Sequence, residues 1–160
     1  MPSQRAQSMS RPLLLHVEAS KPIQSWVGPL LVDDLKCRAK HVQTAEEAHD
    51  ELNTRKRYCI VLLGDVTRPG NLSSDAPPAE LAIIKTIRKR SRFSKTKIVV
   101  FSSVPYEAKA KQNGANAFLS KPNGAEALSR ILEPLLKEFR NSKKSTTNGR
   151  DRKKSTHARA

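Results

Sequence analysis

The chain has 160 residues, with 30 Lys plus Arg against 15 Asp plus Glu and a formal charge of +15. That length suits one domain with short tails, and the basic balance favours anionic partners. Cys37 and Cys59 are too few for a disulfide framework and read as reduced thiols; no Cys–His metal spacing occurs. The polar stretch Met1 to Arg11 lacks the apolar core of a signal peptide, and no apolar run nears the roughly 18 residues of a membrane span. The expected location is therefore cytoplasmic, with no membrane contact.

In chain order, short apolar runs alternate with helix-like stretches. Pro12 to Val17 reads as a first strand. Ser20 can cap a helix with Ile23, Trp26, Val27, Leu30 and Leu31 on one face, which Pro29 kinks or shortens. A weak strand lies near Ala39 to Gln43. Thr44 and Glu47 form a capping-box pattern before a helix with Ala45, Ala48 and Leu52 inward. Tyr58 to Leu63 is apolar throughout, as a central parallel strand should be.

Thr67 to Pro78 is rich in Pro, Gly, Ser and Asn and reads as a long loop. A helix from Ala79 to Arg90, a strand from Lys97 to Phe101, a short helix from Glu107 to Asn113 and a strand from Asn116 to Leu119 follow. The last helix carries the stripe Leu128, Ile131, Leu132, Leu135, Leu136 and Phe139, with Pro134 inside it. After Asn141 no apolar residue larger than alanine recurs, and Lys137 to Ala160 holds nine basic and two acidic residues. The expected organisation is a disordered segment 1–10, a domain 11–140 and a disordered basic tail 141–160.

Alternating strands and helices predict an α/β fold: a three-layer αβα sandwich around a five-stranded parallel sheet. Ligands bind such a sheet at the carboxyl ends of its strands. Those ends carry Glu18, Asp65, Ser102-Ser103 and Lys121-Pro122. Two carboxylates can hold a hard divalent cation, and a hydroxyl and an ammonium can take phosphoryl oxygens. A carboxylate can itself be the nucleophile that forms an acyl phosphate.

The segments CIVLLGDVTRPG (Cys59 to Gly70), IVVFSS (Ile98 to Ser103) and NGANAFLSKP (Asn113 to Pro122) resemble the response-regulator receiver family of two-component signalling. The resemblance spans about Arg11 to Arg140. It implies a flavodoxin-like topology with strand order 2-1-3-4-5. It implies Asp65 as phosphoacceptor, Ser102 and Lys121 as phosphate-binding residues, and Mg2+ held by Glu18, Asp65 and the backbone carbonyl of Thr67. Phe118 becomes the aromatic that changes rotamer on activation, and the Lys121-Pro122 bond is often cis in the family. The family usually has two adjacent acids after the first strand; here the pair reads Val17-Glu18 or Glu18-Ala19. The loop after Asp65 is longer than usual, and the segment between Ser102 and Lys121 is a little short.

The function this implies is a stand-alone receiver, not an enzyme. It would take a phosphoryl group from a histidine kinase or phosphotransfer protein and signal to an output protein through protein–protein contacts. The alternatives are a degenerate receiver acting as a phosphorylation-independent binding module, or nonspecific nucleic-acid contact through Lys143, Lys144, Arg150, Arg152, Lys153 and Lys154.

Overall fold

The structure is a computed structural model that describes residues 11–66 and 77–156, with side chains as far as residue 143. The segment 1–10, loop residues 67–76 and residues 157–160, on which some of the expectations above fall, lie outside the described residues.

Five parallel strands form one sheet in the order β2-β1-β3-β4-β5: β1 (Leu13–Val17), β2 (Arg38–Val42), β3 (Ile60–Leu63), β4 (Lys97–Ser102) and β5 (Ala117–Ser120). Every residue of β3 is buried, because helices cover both faces of the central strand. β2 and β5 are the edges and are less buried than the inner strands, and the polar sequence of β2 fits that place.

Alternation along the strands sorts the core into two layers. Leu15, Val17, Val61, Leu63, Ile98 and Val100 face one way, onto α2 (Ala45–Leu52), α3 (Ala79–Lys89) and α4 (Glu107–Gln112). Leu14, Ile60, Leu62, Val99 and Phe101 face the other way, onto α1 (Lys21–Pro29) and α5 (Ala125–Thr156). Leu81, Ile84 and Ile87 of α3 and Leu128, Leu132 and Leu136 of α5 are the buried stripes. Burying each such side chain contributes on the order of 2 kcal/mol against an exposed reference.

Local chemistry explains the helix ends. Ser20 accepts the Ile23 N–H at 3.5 Å, and Pro22 stands in the first turn of α1, where its missing N–H costs nothing. α1 stops at Pro29 and the chain continues as a π-helical turn over Leu30–Asp34. The sequence put one amphipathic helix through Leu31; the proline instead forces a change of hydrogen-bond register. Thr44 accepts the Glu47 N–H at 3.1 Å, and Glu47 reaches back to the N–H of Gln43 at 2.8 Å. That is a capping box displaced by one residue.

Two expectations differ from what is observed. The Lys121–Pro122 peptide is trans. The backbone of α5 remains helical to Thr156, past Asn141 where the sequence reading begins a tail. Lys and Arg lose little in a helix, and extending a formed helix is far easier than starting one. Cys37 and Cys59 are buried free thiols. No helix among the described residues is long and apolar enough to cross a membrane.

Candidate functional site

Strand register brings the site together. Val17 pairs with Leu63, Leu63 with Val100, and Ser102 with Ser120. The residues that follow β1, β3 and β5, and the last residue of β4, therefore share one rim. The order β2-β1-β3 also means that the chain leaves β1 and β3 in opposite directions, which opens a crevice between their carboxyl ends.

At that crevice the Lys121 ammonium lies 2.8 Å from Glu18 Oε1 and 3.0 Å from Asp65 Oδ2. The Ser102 hydroxyl donates to Asp65 Oδ1. Ser103 donates to Asp65 Oδ2 twice, from its hydroxyl at 2.7 Å and its N–H at 3.2 Å. Backbone anchors hold the acid in place. The Asp65 N–H donates to Glu18 Oε2 at 3.1 Å, the Val66 N–H to Glu80 Oε1 at 2.8 Å, and the Asp65 carbonyl accepts the Ala19 N–H at 2.9 Å.

The two carboxylates are not equivalent. The side chain of Asp65 is 27% exposed, whereas that of Glu18 is 1% exposed. Burial pushes the Asp65 carboxyl upward, but hydrogen bonds from Ser102, Ser103 and Lys121 outweigh it and hold it below its ordinary value. Burial likewise pulls the Lys121 ammonium down, and hydrogen bonds and charge from Glu18 and Asp65 more than restore it. Asp65 is thus an ionised, reachable carboxylate beside a fixed cation.

Glu18 sits in a seat that its neighbours make. A Cβ on Gly64 would stand 1.8 Å from Glu18 Oε2, so only glycine leaves that space open. Besides Lys121 and Asp65 N–H, the Glu18 carboxylate takes the Ser20 N–H at 3.1 Å. Three N–H donors therefore hold its two oxygens.

The structure thus brings Glu18, Asp65, Ser102 and Lys121 into one cluster. Thr67, the expected backbone contact, lies outside the described residues. Phe118 is half-buried on β5, one strand over, with its ring edge-on to Tyr106 at 5.4 Å. Sequence reasoning missed Gly64, whose signal was a glycine wedged between an apolar strand and an acid. It also gave Ser103 no contact with Asp65, and the repeated serine after β4 was the available clue.

No protein-family model and no curated protein matches the chain. Solved structures do. One is the signal receiver domain assigned to a LuxO repressor of Vibrio parahaemolyticus: 23% identical, TM-score 0.64, covering 83% of this chain and 95% of that one. This chain has the fold of signal receiver domains. A chemotaxis response regulator of Vibrio cholerae shares the receiver fold at 19% identity and TM-score 0.64, over 79% of this chain and 99% of that one. The receiver domain of a sensor histidine kinase from Pseudomonas aeruginosa does so at 22% identity and TM-score 0.60, over 79% and 98%.

The Pseudomonas domain holds a magnesium ion in its active-site cleft. The residues described here do not fit such an ion on Glu18 and Asp65 together. Magnesium needs accessible oxygen ligands and keeps several waters. The Glu18 oxygens are sealed and taken by N–H donors, and the Lys121 ammonium already lies between the two carboxylates. Among the described residues no group of three or more His, Cys, Asp or Glu side chains could hold a metal.

Proposed function

We propose that this chain is a receiver that accepts a phosphoryl group on Asp65. The observation that carries the reading is the ionised, partly exposed Asp65 carboxylate with Ser102, Ser103 and Lys121 all within hydrogen-bond reach. An Asp65 oxygen attacks the phosphorus of an N-phosphorylated imidazole on a histidine kinase or phosphotransfer protein. The O–P bond forms as the N–P bond breaks, and the imidazole nitrogen keeps the electron pair and takes a proton. Lys121, Ser102 and Ser103 then neutralise and hold the phosphoryl oxygens. This is the positioning and charge compensation that phosphoryl transfer requires. The acceptor is modified rather than turning over, so the chain acts as a signalling module. Its readout is a shifted conformational equilibrium passed on by protein–protein contact.

Intact-mass measurement after incubation with acetyl phosphate tests this, in parallel with magnesium and with a chelator. One phosphoryl adduct that is absent from Asp65→Asn supports the reading in either arm. A second reading, a binding module that is never phosphorylated, is favoured by the sealed Glu18 carboxylate. Absence of an adduct in both arms, with wild-type folding retained, selects it.

A further inference from the structure

At the pole opposite Asp65, a groove of about 870 Å3 opens between the start of β3 and β4, the 3-10 turn Ser91–Phe93 and α5. Arg57, Arg92, Lys95, Lys97 and Lys143 line it, and among the described residues Glu138 is the one carboxylate on its wall. Glu138 lies 3.7 Å from Lys97. The side chains of Arg57 and Lys95 are exposed and engage no partner among the described residues.

The Arg92 guanidinium is held in advance: it donates to the carbonyls of Thr54 at 2.5 Å and Lys56 at 3.2 Å, and lies 4.4 Å over the Phe93 ring. Gathering like charges costs self-repulsion, and Arg57 and Lys95 have no carboxylate beside them among the described residues to offset it. Leu135 and Phe139, half-buried against the core, add an apolar patch to the same groove, with the Lys143 ammonium 4.8 Å over the Phe139 ring.

We propose that this groove binds single-stranded nucleic acid. Guanidinium and ammonium groups along a rim suit a repeating phosphate, and the apolar patch suits the bases between phosphates. A purely acidic chain such as polyglutamate brings carboxylates but no flat apolar surface. A bilayer is planar and meets only the rim of a concave groove. Beyond Lys143 the sequence adds Lys144, Arg150, Arg152, Lys153 and Lys154, a basic composition that favours a polyanion of many charges over a small one. The folded groove, rather than the tail alone, is the anchoring element.

Fluorescence anisotropy of a labelled oligodeoxythymidylate with the full chain, over a range of salt, tests this. Arg57→Glu with Lys95→Glu should weaken binding on the order of tenfold or more, and should flatten the slope of log K against log salt by about 1.4, the change for two lost single-strand phosphate contacts. The tail variant Lys153→Glu with Lys154→Glu should lose less. If the double groove variant fails to fold, Lys95→Gln in the same assay should still weaken binding. Wild-type affinity in the folded groove variants, no binding by the unaltered chain, or polyglutamate competing as well as the oligonucleotide each overturns the proposal.

Discussion

Gly64 decides where Glu18 can sit. The strand-end acid turns inward because position 64 carries no side chain, and it then binds Lys121 from beneath. Gly64→Ala would put a methyl group into the space of Oε2, with the Val17 carbonyl only 3.0 Å away on another side. The carboxylate must leave its donors, and the N–H of Asp65 loses its acceptor. Overpacking together with lost buried hydrogen bonds should cost about 2–4 kcal/mol. Urea unfolding measures this; a midpoint equal to wild type would mean that Glu18 does not occupy that seat. Glu18 itself was visible as an acid after an apolar run. Its inward orientation was not, because that depends on a residue 46 positions away in the chain and on the same rim only after folding.

At the scale of elements, the edge pair β1–β2 carries a device outside the rim. His16 and His41 are register partners, and their Nδ1 atoms lie 2.9 Å apart, so one ring donates to the other. His16 is fully buried. Burial first, then the neighbouring His41 and Lys121 charges, lowers its pKa from 6.5 to about 3, and burial lowers that of His41 too. A base whose folded pKa is depressed binds its proton more readily in the unfolded chain. Stability is therefore complete above about pH 6.5 and falls as pH drops from 6.5 towards 3. The slope from His16 approaches about 1.4 kcal/mol per pH unit between those values. Urea midpoints between about pH 6.5 and pH 4 should fall less steeply in His16→Gln than in wild type. An unchanged pH dependence would show that His16 is not held neutral by the fold.

Across the whole molecule, the chain order of apolar runs was enough to read the αβα layers. β1, β3 and β4 are nearly uninterrupted apolar runs because helices cover both faces, and the stripes of α3 and α5 mark what covers them. Less was legible where short-range signals compete. Pro29 marks a break in the sequence, but the π turn that follows depends on how Leu30 and Leu31 reach the core. The apolar stripe of α5 ends near Asn141, yet backbone helix does not need that stripe to continue. The cationic groove was invisible in sequence, since Arg57, Lys95 and Lys143 are far apart along the chain and spread among other basic residues. The folded molecule thus has two poles: an aspartate–lysine–glutamate cluster where the strands end and a cationic groove where they begin.

The most direct test of Asp65 as the reacting group is chemical trapping. Borohydride reduces an acyl phosphate to an alcohol, turning a phosphorylated aspartate into homoserine, which peptide sequencing by mass spectrometry locates. After exposure to acetyl phosphate, homoserine at position 65 and at no other acid is the predicted result. Homoserine at another carboxylate, or intact Asp65 in a chain that carries a phosphoryl adduct, would contradict the account.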